Sequence, residues 1–138
     1  MQDSPDIYKA GGVLVKNHKT LVNSSRGKEY FITPGGKIEA GETPRQALAR
    51  ELMEEFQIEV DEADMEPFGT FSAEAANHPG QIVHIEHFLV KKWYGEIRPD
   101  HEVDAVRWIT SELPKDIKIG SIFVTEIIPK LKKLGLID

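Results

Sequence analysis

The stretch from Gly36 to Ile58 constrains this chain more than any other. Pro34-Gly35-Gly36 breaks the preceding segment, and a helix is predicted from about Pro44 to Phe56. Thr43 has the chemistry of an N-cap, Pro44 fits the first helical position, and Gln46 completes a Thr-x-x-Gln capping box. At about 100° per residue, Leu48, Ala49, Leu52, Met53 and Phe56 fall on one arc, expected to pack on a sheet. Glu51, Glu54 and Glu55 are expected on the opposite arc, with the small Ala47 among them leaving room for an ion. These carboxylates stand at i, i+3 and i+4, where like charges repel by about a few tenths of a kcal/mol per exposed pair. Most acidic helix faces are simply solvated. Here, however, Arg50 is placed to pair with Glu42 or orient Glu51, and the glycine turn brings backbone carbonyls towards the same face. The combination points to a hard divalent cation, and oxygen-only ligation suits Mg²⁺ or Mn²⁺ better than zinc.

The rest of the chain is compatible with that reading. Its 138 residues predict a single domain over 1–138, with residues 1–7 as a loose N-terminal extension. With no cysteine, disulfides and thiolate metal sites are excluded. No apolar run is long enough to cross a bilayer and MQDSPDIYKA lacks a signal pattern, so a cytoplasmic location without membrane contact is expected. A net charge of −6 argues against a nucleic-acid polymer as partner. It leaves room for one small polyanion whose charge metals and local basic groups offset.

Strands are predicted at Ala10 to Val15, Thr20 to Asn23, Glu29 to Thr33, Pro67 to Ala75, Gln81 to Tyr94 and Ala105 to Ile109. Asn77-His78-Pro79-Gly80 reads as a hairpin turn, and Thr110 to Gly120 as a connector with a turn at Ser111-Glu112-Leu113. A last amphipathic helix is expected over Ser121 to Leu134, with Pro129 as a kink. The pattern predicts an α+β fold, a curved sheet with a helix on either side.

Glycine, five residues, Glu, seven residues, then Arg-Glu-apolar-x-Glu-Glu-x-Gly-apolar resembles the Nudix box of the Nudix (MutT-like) hydrolases. Gly36, Glu42, Arg50, Glu51, Leu52, Glu54, Glu55 and Ile58 stand at eight of its nine specified positions. The flanks resemble the family more weakly, through the Thr-Pro before Gly35, the sheet pattern and the Arg-Trp strand at Trp108. The departure is Gln57, where the box has a glycine that ends the helix in a left-handed conformation. Gln there costs about 1 kcal/mol, unless the helix exit is reshaped.

The resemblance implies a Nudix α/β/α sandwich with a curved mixed sheet, and metal-dependent hydrolysis of a nucleoside diphosphate linked to another moiety. It implies Glu51, Glu54 and Glu55 as ligands of Mg²⁺ (or Mn²⁺), with a carbonyl of Gly35 or Gly36 adding an oxygen. Arg50 would orient a glutamate and Glu42 would brace Arg50. A glutamate, inside the box or outside it at Glu102, would take the proton of the attacking water. Many relatives carry a second acidic group near the position of Glu102, although a solvated loop carboxylate is as good a reading.

Arg26 and Lys28 are candidate phosphate contacts. His84 and Glu86 share one strand face, opposite Val83, Ile85 and Leu89. His84 is a weak cleft candidate and reads first as a polar sheet-face histidine. Phe71 and Trp108 are candidates for base stacking but read first as core, as do Met53 and Phe56. His101 reads as an exposed loop histidine. A small (d)NTP-like nucleotide is slightly favoured as substrate over ADP-ribose or a dinucleoside polyphosphate. The alternative class is a non-catalytic nucleotide-binding Nudix module, and a homodimer is a family expectation.

Overall fold

The computed structural model describes residues 6–75, 79–100 and 102–138. It contains β1 (Ile7–Lys16), β2 (Lys19–Ser25), β3 (Tyr30–Phe31), β4 (Gly35–Lys37), α1 (Pro44–Phe56), β5 (Met65–Glu74), β6 (Ile82–Val90), β7 (Val103–Ile109), β8 (Lys118–Ile119) and α2 (Ile128–Lys133). A wide π turn at Phe123–Ile127 runs directly into α2. The large sheet has the order β5-β6-β1-β2-β7, with β4 on β1, and a small parallel pair joins β3 to β8. β1 runs parallel to β6 and antiparallel to both β2 and β4, so the sheet is mixed.

β1 is the central strand because both its faces are apolar, as an internal strand covered on two sides requires. Val13 and Val15 point into one core with Phe123, Ile127 and Leu131 from the C-terminal helical segment. Ala10 and Leu14 point into the other, with Leu48, Leu52 and Phe56 of α1. The layered α+β sandwich is therefore the one expected. No helix among the described residues is long and apolar enough to cross a membrane.

α1 begins as its caps dictate. The Gln46 N–H donates to Thr43 Oγ1 at 3.1 Å and the Thr43 N–H donates to Gln46 Oε1 at 2.9 Å. At the other end Gln57 does adopt the left-handed conformation, at φ 59°, so a side chain occupies a position that favours glycine. The packed face of α1 differs from the expected arc. Ala47 is fully buried while Met53 is 46% exposed, because the helix seats on its 48-52-56 row and the adjoining 47-51-55 row.

Other boundaries move too. The glycine turn is a short strand, β4, and the expected strand over 29–33 shrinks to β3 plus a bridge from Ile32 to Asn23. The strand expected to reach Tyr94 ends at Val90, and the connector after Thr110 contains β8. The N–H of Ala75 donates to the Gln81 carbonyl at 2.8 Å, closing the β5–β6 hairpin. Asn77, His78 and most of the loose N-terminal extension lie outside the described residues. Pro129 has no N–H to give the preceding turn, and the wide turn before it absorbs that loss.

Candidate active site

The site is a wedge between strands that part. Beside their turn, β1 and β2 pair at Val15 with Thr20 and Lys16 with Lys19. At its other end β1 pairs through Lys9–Gly11 with β4 instead. A cavity of about 430 Å³ opens in the gap, reaching Lys9, Asn23, Gly35 and Gly36. Gly35 makes the close approach possible: at φ 140°, any Cβ on it would lie 2.1 Å from the Ala10 carbonyl oxygen.

The cavity lining carries both signs of charge. Glu51, Glu55 and Glu102 line it, as do Lys9, Lys28 and Lys37. Ala47, Glu51 and Glu55 form one i, i+4 row beside the buried Leu48-Leu52-Phe56 row. This explains why Glu51 and Glu55 are half-buried at the cavity rather than spread over a solvated face. Burial, the Glu51 charge, a hydrogen bond to Glu51 and the charge of Glu102 push Glu55 up to about 8, with Lys9 opposing. Lys9 itself is held below its usual value by burial and then by Lys37, while Glu55 and Glu51 favour its charged form.

Arg50 organises the acidic side. Its Nε and Nη2 donate to the Glu42 carboxylate at 2.7 and 3.0 Å. Its Nη1 donates to Glu51 at 2.8 Å and Glu54 at 2.9 Å, and Nη2 reaches the Lys37 carbonyl at 3.1 Å. Glu42 also accepts from the Glu39 N–H at 2.9 Å. These bonds hold Glu42 below the usual carboxylate range, Arg50 being the larger cause, and hold Arg50 above its own ordinary value. Arg50 thus both pairs with Glu42 and orients Glu51.

The expected residues divide. Gly35, Gly36, Glu51, Glu55, Glu102 and Lys28 come together at the cavity. Glu54 does not line it; it lies on the Arg50 side of α1. Arg26 does not line it either, and its N–H donates to the Glu102 carbonyl at 2.7 Å. His84 sits on the other sheet face, 2.6 Å from Ser72 Oγ, 3.0 Å from Asp6 and stacked on Tyr8. Phe71 packs on one core, and Trp108 packs on the other while stacking on Trp93. His101 lies outside the described residues. Sequence reasoning missed Lys9, Asn23 and Lys37; the available signal for the first two was a polar residue at the edge of an apolar strand.

The donor set suits a hard cation. The Glu51 carboxylate adjoins Gly36, where a Cβ would fall 2.4 Å from Glu51 Cδ, and Glu55 hydrogen-bonds Glu51. Burial and then the neighbouring Glu51 charge raise Glu55, and a divalent charge would offset both. Among the described residues, no group of three or more His, Asp or Glu side chains is drawn together closely enough to hold an ion. The cavity offers the carboxylates of Glu51, Glu55 and Glu102.

Residues 7–126 match the NUDIX domain family. An 8-oxo-dGTP diphosphatase of Haemophilus influenzae is 44% identical over 99 residues, covering 68% of this chain and 69% of that protein. A CTP pyrophosphohydrolase of Escherichia coli is 35% identical over 101 residues, covering 65% of this chain and 67% of that protein. The solution structure of the E. coli ORF135 protein superposes with a TM-score of 0.72 at 25% identity, covering 96% of this chain and 94% of that one. The chain belongs to the Nudix family and is a hydrolase acting on phosphoanhydride bonds.

Proposed function

We propose that this chain is a divalent-metal-dependent pyrophosphohydrolase of small nucleoside triphosphates, with Mg²⁺ or Mn²⁺ as the working ion. The observation that carries the reading is the Glu51–Glu55 row meeting Lys9, Lys28 and Lys37 around one cavity. At about 430 Å³ the cavity falls in the range of small-ligand sites. The names of the relatives, a diphosphatase of 8-oxo-dGTP and a pyrophosphohydrolase of CTP, support a nucleoside triphosphate over larger dinucleotides.

Glu51, Glu55 and the Gly36 carbonyl would hold the ion, with Glu54 able to join by leaving Arg50. When bound, a divalent ion neutralises phosphate oxygens and acidifies a water. Arg50 holds Glu51 aimed at the cavity. Lys28 and Lys37 receive the phosphate chain, with Arg26 as an outer contact. Glu102 accepts the proton of the attacking water, and hydrolysis separates a nucleoside monophosphate from pyrophosphate.

The test is a panel of nucleoside triphosphates, ADP-ribose and dinucleoside polyphosphates assayed with Mg²⁺ and with Mn²⁺. Turnover of at least one triphosphate is expected, lost in Glu51→Gln and in Glu54→Gln/Glu55→Gln while circular dichroism stays unchanged. Binding without turnover in the wild type would make the chain a nucleotide-binding module. Turnover confined to ADP-ribose or dinucleotides would reassign the substrate.

A further inference from the structure

Asn23 is a buried polar side chain whose carboxamide oxygen has no hydrogen-bond partner among the described residues. It is 3% exposed, in β2 beside the fully buried Leu21 and Val22. Its main chain is satisfied by Ile32, with N–H to carbonyl distances of 3.0 and 2.8 Å in the two directions. Its Oδ1 is buried with no hydrogen-bond partner among the described residues, and Asn23 lines the cavity that holds Glu51 and Glu55. An orphaned buried carbonyl destabilises a fold; at a cavity wall it is a place kept for a ligand's donor.

We propose that Asn23 reads the nucleobase, its carboxamide oxygen accepting a hydrogen bond from an exocyclic amino group. The inference rests on the nucleotide reading above and adds a specificity determinant to it. Cytosine and adenine present such an N–H donor. Uracil and hypoxanthine present a carbonyl at the same ring position, which would face Oδ1 oxygen to oxygen. The last side-chain torsion of asparagine is broad, so the carbonyl can turn to the cavity without moving β2. A site built to bond an N–H discriminates strongly against an analogue lacking it, because its own buried group is then left unpaired.

The experiment compares CTP with UTP and ATP with ITP in the wild type, Asn23→Leu and Asn23→Ser. For each pair it measures kcat/KM with Mg²⁺, equilibrium affinity, and Tm. In the better-accepted pair the wild type should favour the amino member by about 10-fold or more. Asn23→Leu should cut that ratio about 10-fold, and the smaller hydroxyl of Asn23→Ser should leave it in between. Asn23→Leu should also hold or raise Tm by a few degrees, since it removes an orphaned acceptor; a merely structural asparagine would lower it. Equal use of amino and oxo members by the wild type, or ratios unmoved in both variants, would overturn the inference. Amino-selective binding without turnover would instead overturn the hydrolase reading and leave Asn23 its role.

Discussion

Gly36→Ala isolates the placement of Glu51 from the stability of the fold. The added methyl would lie 2.4 Å from Glu51 Cδ and 2.6 and 2.7 Å from its carboxylate oxygens. Non-bonded carbon contacts settle near 3.5 Å or beyond, so the carboxylate must retreat by roughly 1 Å. Gly36 is not among the positive-φ residues, so alanine adds no backbone strain there, and the flexible end of Glu51 yields rather than β4. That retreat also pulls Glu51 from Arg50 Nη1, now 2.8 Å away. A misplacement of about 1 Å costs roughly 100-fold in rate, or about 2.7 kcal/mol of barrier. The assay is kcat and KM on the best triphosphate of the panel, read beside Tm. Gly135→Ala serves as the contrast: at φ 72° with open space around it, it should lose about 1 kcal/mol of stability and keep its kcat. A folded Gly36→Ala protein with wild-type kcat would refute the argument that the position of Glu51 governs turnover.

Three further outcomes follow from the same geometry. Gln57→Gly should stabilise the protein by about 0.5–1 kcal/mol without changing kcat, because it relieves the φ of 59°; a chemical denaturation midpoint that fails to rise would show the exit loop already relaxed. Arg50→Lys should lower kcat by about 10–100-fold, since an ammonium cannot span Glu42, Glu51 and Glu54 in one fork. In chelator-treated protein, the raised pKa of Glu55, about 8, makes the folded state bind more protons than the unfolded one between about pH 4.5 and 8. Its stabilising contribution is full below the lower value and lost as pH rises through the upper one, so Tm should fall across that window by more in the wild type than in Glu55→Gln.

How much of this was legible depended on the range of the interaction. α1 runs from Pro44 to Phe56 as predicted because its capping box and first-turn proline are local chemistry. The long strands showed themselves through apolar runs. β4 and β8 did not, since two or three residues carry no period and their pairing with β1 and β3 is non-local. The face of α1 was misjudged because hydrophobicity alone placed Met53 inward and Ala47 outward. Close packing against the sheet selected the smaller residue and turned the 47-51-55 row inward. The same orientation leaves Glu54 off the cavity lining, joined to Glu51 only through Arg50 Nη1. Lys9 and Asn23 stayed hidden because a lysine beside an apolar strand and an asparagine within one acquire meaning only when β1 and β2 part around a cavity.

The same rotation creates a proton-linked site. Burial, then the charges of Glu51 and Glu102, pushes the Glu55 carboxyl up to about 8, so without a cation the row favours holding a proton near neutral pH. If a divalent ion occupies the row as proposed, it replaces that proton. Binding must then release protons and weaken as pH falls. Titrating metal-free protein with Mg²⁺ or Mn²⁺ at pH 7 in buffers of different ionisation enthalpy should reveal close to one proton released per ion bound. Release should vanish in Glu55→Gln, and should decline above pH 8 in the wild type as Glu55 ionises unaided. Binding that displaces no proton at pH 7 would mean that the cation sits elsewhere, and the inward row of carboxylates would lose its role as the metal's seat.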